Sequence, residues 1–340
     1  MNKLSLPIVT VVIPMFNVEK YIEKCIASVL AQTFKNFEVI CVDDGCTDNT
    51  LAILKQYTDS RIRVISQKNR GLAGARNTGI QAAKGIYIAL LDSDDCWADE
   101  KLAKHVLHLN SNSDVGVSYC PSVFIDENGN MMGMGQYPKL TGISFRDILC
   151  RNPIGNGSAP VIRKRLLVEI STTHQAQDRK YYFDETLRQS EDIELWVRMA
   201  LLNKWKFEGI PEPLTYYRIN DSGLSANLKN QFASWTIAMS KNEQTNIPLF
   251  KRLLPLARAY QLRYLARRAI RSGDSYQAIK FIHRALFEQP QILFEEPKRT
   301  IVTYVCALLS LLPRSLYISL ETLAMRCLPQ RQIPVNLKEI

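Results

Sequence analysis

The sequence has no long hydrophobic run, and that absence excludes one class at once. Its most apolar uncharged stretch, "TIVTYVCALLSLLP" (300–313), is closed off by Arg299 and Arg314. As a helix it would reach ~21 Å, against the roughly 30 Å hydrocarbon core of a bilayer. A membrane-spanning helix is therefore not expected. Nor do the eight cysteines show a C-x-x-C pair or metal-ligand spacing. Several lie in apolar segments, the pattern of reduced core thiols in a cytoplasmic protein. There is no low-complexity tract and no internal repeat in several copies. The first apolar run is followed by "IPMFNVEKY", which lacks G-x-G-x-x-G, so a dinucleotide-binding dehydrogenase is excluded. The opening "MNKLSLPIVTVVIP" lacks a small-residue cleavage site and reads as a first strand rather than a signal peptide.

What is present is an ordinary globular composition with an uneven charge. The 340 residues are 46% hydrophobic and 22% charged, with a net charge of +10. Residues 1–228 carry 26 Lys/Arg against 26 Asp/Glu, whereas 229–340 carry 17 against 7. A neutral domain over 1–228 and a basic extension over 229–340 are expected. In the first part, strand and helix signals alternate. "IVTVVIP" (8–14), "FEVICVDD" (37–44), "RIRVISQ" (61–67) and "IYIALLD" (86–92) read as strands. Between them, "EKYIEKCIASVLAQT", "NTLAILKQY" and "ARNTGIQAAKG" read as helices. This order implies an α/β fold: a mostly parallel sheet with helices on both faces and ligands beyond the carboxyl ends of its strands.

At the fourth strand end, "YIALLDSDDCW" sets Asp92, Asp94 and Asp95 almost side by side. Clustered carboxylates raise one another's pKa and call for compensation. Helix capping near Trp97 would account for one of them. A hard divalent cation, Mg²⁺ or Mn²⁺, would account for more, since it takes one or two carboxylates and fills its shell with phosphate oxygens.

The surrounding words carry a resemblance. "VVIPMFNVEKYIEKCIASVLAQTFKNFEVICVDDGCTDNT", "NRGLAGARNTGIQAAKGIYIALLDSDD" and "FDETLRQSEDIELWVRMA" follow one another in order. Over roughly residues 6–220 the sequence resembles the family 2 glycosyltransferases, inverting enzymes of the glycosyltransferase A-type fold. The resemblance implies a nucleotide-sugar half over about 1–118 and an acceptor half over about 119–228. It implies hexosyl or hexosaminyl transfer from a nucleotide-diphosphosugar, UDP first among donors with thymine and guanine bases open, to a saccharide or lipid-linked hydroxyl acceptor.

By the same resemblance, Pro14, Asn17 and Glu19 would border the nucleotide, and Asp44, with Asp43 beside it, would accept from the base. Arg76 would lie by base and phosphates, Ser93 by the nucleotide, Asp92 by the ribose or the metal, and Asp94 on the metal. Asp192 would be the general base, with Glu191 as the neighbouring alternative. Each has a plainer reading: Asp44 as a turn former, Arg76 as a surface residue, Glu191 and Asp192 as first-turn carboxylates favoured by a helix dipole. Their helix is expected to bury Ile193, Trp196, Val197, Ala200 and Leu201. Two departures stand out: Cys46 where serine is usual, and Asn220 where many relatives have a metal-binding histidine. A sugar nucleotidyltransferase would open with a glycine-rich loop that is absent here. A catalytically inactive nucleotide-sugar-binding or scaffold protein is the alternative, against which Asp92, Asp94 and Asp192 stand.

Residues 120–167 should shape the acceptor side, with "DENGN" as a hairpin turn and "PIGNGSAP" as a loop open to the donor. In the tail, "YLARRAIRSGDSYQAIKFIHRALFEQP" resembles a single tetratricopeptide-like hairpin. The apolar stripe at 300–313 with basic flanks suits a helix lying on an anionic membrane surface, with peripheral contact over 300–328, or else a buried packing helix or a dimer contact. The arginines are interleaved with helix-core residues and show no nucleic-acid-binding signature, so no nucleic acid is expected.

Overall fold

A computed structural model describes residues 6–174, 179–220 and 227–327. The chain divides into two compact units, the first holding the residues up to 226 with 233–245, the second 227–232 with 246 onward.

The first unit begins with β1 (Val9–Met15), α1 (Ile22–Leu30), β2 (Phe37–Asp43), α2 (Thr50–Leu54), β3 (Ile62–Ser66), α3 (Gly71–Ala82) and β4 (Tyr87–Leu90). Then come β5 (Cys96–Trp97), α4 (Lys101–Ser111), β6 (Val115–Tyr119), β7 (Ser122–Ile125), β8 (Met131–Gln136), α5 (Phe145–Arg151) and β9 (Val161–Arg163). It closes with α6 (Lys164–Ile170), β10 (Thr172–His174), β11 (Arg179–Tyr181), α7 (Glu191–Leu201), β12 (Lys206–Gly209) and β13 (Thr215–Arg218). Every residue of β1 is buried, because helices cover both faces of the strand.

The main sheet has the order β12-β6-β9-β4-β1-β2-β3. All its pairings are parallel except those of β9, which runs against both β4 and β6. The chain proceeds outward from β1 through β2 to β3, then returns to place β4 on β1's other side. Beyond the carboxyl ends of β1 and β4 the order reverses, the place where open sheets of this kind bind ligands. Strand β3, by contrast, is an exposed edge.

A second sheet has the order β5-β13-β7-β8, and the turn 126–130 joins β7 to β8 as an antiparallel hairpin. The helix placed near Trp97 is not there. Residues 96–97 form β5 and the helix starts at Lys101, so neither Asp94 nor Asp95 is a cap. Helix α3 begins a turn earlier than its apolar pattern suggests, and α7 buries Leu195, Trp196, Val197 and Met199 rather than Ile193, Ala200 and Leu201.

The second unit is helical. After α8 (Leu228–Glu243), which divides between the units, come α9 (Ile247–Arg271), α10 (Ser275–Glu288), α11 (Gln291–Glu295), α12 (Pro297–Leu309) and α13 (Arg314–Cys327). Helices α9 and α10 form a hairpin, its turn made by Gly273 at φ +77° and its inner face by Leu265, Ala266, Ala278 and Ala285.

Candidate active site

The β1–α1 loop is built to hold its neighbour. Asn17, in the left-handed region at φ 53°, accepts at Oδ1 from the Thr47 amide at 2.8 Å. Glu19 accepts at Oε2 from the Asn49 amide and side chain, both at 2.9 Å. Pro14 lies within β1, opposite Val42. These three therefore stand at or just beyond the end of β1, and the side chains of Asn17 and Glu19 brace the 47–49 turn.

Asp43 accepts from the amides of Gly45 and Cys46 at 3.1 and 2.8 Å. Partial burial pushes its carboxyl up, but hydrogen bonds from Cys46, Ser66 and Gly45 outweigh this and hold it below the ordinary value. Asp44 is 3% exposed and turned toward α3. It accepts from Gln67 Nε2 at 2.7 Å and from the amides of Arg70 and Gly71, each at 2.8 Å. Three of its roughly four lone-pair positions are filled, so it caps α3 and keeps about one position for a ligand.

Arg76 is the centre of the arrangement. It is 2% exposed, and its guanidinium donates to Asp92 Oδ1 at 2.6 Å and to Glu191 Oε1 at 2.8 Å. One planar fork thus joins the residue beyond β4 to the first turn of α7. Burial pushes the guanidinium down, but Asp92, Glu191 and Asp192 more than restore it, so it stays charged. The approach is close: a Cβ on Gly157 would stand 2.4 Å from Arg76 Nη2 and 2.9 Å from Asp92 Oδ2.

Around Asp92 the turn is fixed from behind. Ser158 Oγ accepts from the Asp92 amide at 3.0 Å and donates to Asp95 Oδ2 at 2.6 Å. Arg218 donates its amide to Asp95 Oδ1 at 2.8 Å and its Nε to the Asp94 carbonyl at 2.7 Å. It also reaches the carbonyls of Asp126 and Glu127. Ser93 is buried in the same turn. Burial and the nearby Asp92 push Asp94 up to about 6, against the pull of Arg218 and Asn220. Burial, then Asp94 and Asp92, push Asp95 well up. Asn220 Nδ2 donates to Asp94 Oδ2 at 3.2 Å, so Asn220 stands at the carboxylate, where a turn of its amide would present the carbonyl instead.

Glu191 and Asp192 are adjacent but differently employed. Glu191 is committed to Arg76, whereas Asp192 is only partly buried and accepts just from its own helix, the Ile193 amide at 2.8 Å. Burial, then the Glu191 charge, push Asp192 up to about 7, with Arg76 pulling the other way. Asp92, Arg76 and Glu191 are therefore one connected cluster with Asp192 at its side. Pro14, Asn17, Glu19, Asp43 and Asp44 belong to the neighbouring strand ends.

Sequence reasoning missed Asn77, Ser158 and Arg218, and marked Gly157 only as one of the glycines of a loop open to the donor. Asn77 clamps the segment before α7 with four hydrogen bonds. The word "GARN" in one segment and "PIGNGSAP" in another were the available signals.

Five carboxylates, Asp92, Asp94, Asp95, Glu191 and Asp192, meet two buried guanidiniums here, Arg76 and Arg218. Three of the five are pushed up. Such an excess of hard oxygen donors fits a divalent cation. Among the described residues no three His, Cys, Asp or Glu side chains form a metal-holding set.

Residues 10–181 match the model of "Glycosyl transferase family 2", half of the chain. The chain belongs to that family. It is a glycosyltransferase, and its fold is the A-type of such enzymes. An uncharacterized glycosyltransferase of Methanocaldococcus jannaschii is 29% identical over 69% of this chain and 79% of its own. WfgD of Escherichia coli, named a UDP-Glc:alpha-D-GlcNAc-diphosphoundecaprenol beta-1,3-glucosyltransferase, is 28% identical over 75% of this chain and 90% of its own. Other relatives, at 31–51% identity, are covered over only 17–33% of their own length. The mannosyltransferase PcManGT of Pyrobaculum calidifontis, solved with GDP-Man and Mn²⁺, superposes with a TM-score of 0.57 at 20% identity, over 90% of this chain and 86% of its own.

Proposed function

We propose that this glycosyltransferase moves a hexosyl or hexosaminyl group from a UDP-sugar to a saccharide or lipid-linked hydroxyl, with inversion, and with Asp192 as general base. The observation that carries this reading is the division of labour at α7. Glu191 is paired with Arg76, whereas Asp192, raised to about 7 chiefly by burial, has no ion pair among the described residues. A base poised near the working pH takes a proton efficiently from an attacking hydroxyl. Arg76, held rigid by Asp92 and Glu191, fixes the distance between the donor side and the base. Asp44 keeps its remaining lone pair toward the base of the nucleotide, and Asn17, Glu19 and Asp43 hold the loops that border it.

Asp92 and Asp94 are the residues that would hold a divalent cation, Mn²⁺ or Mg²⁺, with Asn220 beside them. When bound, such an ion supplies charge stabilisation to the diphosphate leaving group. A single displacement at the anomeric carbon inverts it, so an α-linked donor gives a β-glycoside. The name of WfgD supports a UDP donor, a lipid-linked acceptor and a β product, and PcManGT supports a metal. Polysaccharide or cell-envelope synthesis at the cytoplasmic face of a membrane, with peripheral attachment through the basic tail, belongs to the same reading.

Calorimetric titration with UDP, with Mn²⁺ and then with EDTA, tests the donor site. The Asp192→Asn variant should bind UDP as the parent does and lose turnover by about 10²–10⁴-fold. Retained turnover in that variant would overturn the assignment of the base.

A further inference from the structure

Helix α12 wears its apolar side outward. The residues it buries are Thr300, Thr303 and Ala307, at 0%, 3% and 0% exposure and at spacings of three and four. On the opposite face Ile301, Val302, Val305 and Leu308 are 43–59% exposed. Hydrogen bonds fix this orientation. Thr300 Oγ1 accepts from buried Arg263 of α9 at 2.8 Å and donates to the Ile292 carbonyl of α11 at 3.2 Å, whereas Thr303 Oγ1 bonds within α12, donating to the Arg299 carbonyl at 2.7 Å. Rolling the helix to hide its aliphatic residues would break the Arg263–Thr300 contact and turn both hydroxyls outward. The apolar exposure continues beyond the helix through Leu311 and Leu316.

An exposed aliphatic face of this extent marks a contact surface. Its charge says what covers it. Glu296 and Glu321 bound the stretch, and Glu296 reaches Arg299 at 3.7 Å, but from Pro297 to Leu320 there is no aspartate or glutamate, while Lys298 and Arg299 stand at one end and Arg314 beyond the other, all exposed. We propose that this face docks on the surface of an anionic phospholipid bilayer. Its aliphatic side chains enter the boundary of the acyl region, and the three cations meet the head groups. Among the described residues no helix is long and apolar enough to cross a membrane, so α12 lies on the surface. A second copy is a poorer occupant. Both ends of the stripe are cationic, so a two-fold contact sets cation against cation whether the helices run parallel or antiparallel. The inference deepens the lipid-linked-acceptor reading of the proposed function, yet its observations lie wholly in the second unit.

The test is sedimentation of the full chain with phosphatidylglycerol-containing vesicles and with pure phosphatidylcholine vesicles, beside its oligomeric state by light scattering. Three cations at an anionic surface should favour the first vesicles by about tenfold or more. Val305→Glu/Leu308→Glu should lower binding by about tenfold or more, with UDP affinity unchanged. Lys298→Glu/Arg314→Glu, which leaves the aliphatic face intact, should abolish the preference for anionic lipid. The proposal is overturned by absence of vesicle binding, by equal binding to neutral vesicles, by undiminished binding of the Val305/Leu308 variant, or by a wild-type dimer that this variant dissolves. Lost UDP binding in the parent chain would instead strike the donor-site reading and leave this one standing.

Discussion

Asp192 is costly to the fold in its charged form, and this gives it a signature separate from turnover. Its carboxyl is raised from 3.8 to about 7, with Glu191, Arg76 and Asp92 as the charged groups around it. Between those values the folded protein holds a proton that the unfolded chain has released, so this residue's contribution to stability falls as pH rises from roughly 4 to 7. Turnover runs the other way, because the base must be ionised, and should rise through pH about 7. Asp192→Asn removes the titration. Its melting temperature should decline less than the parent's across that window, which thermal melts at several pH values will show. Parallel profiles would mean that Asp192 titrates normally and that burial does not tune it.

At the level of the element, α3 carries more of the site than its sequence suggests. Asp44 caps its start, Arg76 holds Asp92 and Glu191, and Asn77 binds residues 182–185 ahead of α7. Asn77 is 1% exposed, and Asn77→Ala removes two hydrogen bonds at each end of its amide, leaving buried backbone groups unpaired. Urea denaturation should show a loss of about 3 kcal/mol. Turnover should drop as well, since this segment leads into the helix that carries the proposed base. A variant as stable as the parent would show that water or another group replaces the amide.

Here the limits of the sequence are physical. Asp92–Asp94 and Glu191–Asp192 are visible because like charges stand side by side within one word. The roles of Asn77, Ser158 and Arg218 are set by partners 106, 66 and 124 residues away, a separation that one sequence does not display. The start of α3 was misjudged for the same reason, since its cap comes from β2's loop rather than from its own first turn.

Over the whole molecule, chemistry and charge are divided. Every residue of the proposed donor site lies in the first unit, and the entire excess of positive charge lies beyond residue 228. The second unit has an internal core of its own, with Phe250, Leu256, Leu262, Phe281, Ile282 and Ile292 buried, and one ion pair within it is deeply placed. Arg263, 2% exposed, pairs with Glu296 and donates to Thr300. Removing one partner of a buried pair leaves the other charge without its counter-ion, at a cost of about 3–5 kcal/mol. Arg263→Ala should therefore lower the thermal stability of the chain by that order. If chemistry is confined as the placement of residues implies, UDP affinity measured below the melting range should stay within about twofold of the parent's, roughly 0.4 kcal/mol. A proportionate fall in nucleotide affinity would mean that the helical unit and the donor site are energetically one body. The tail would then regulate donor binding as well as membrane contact.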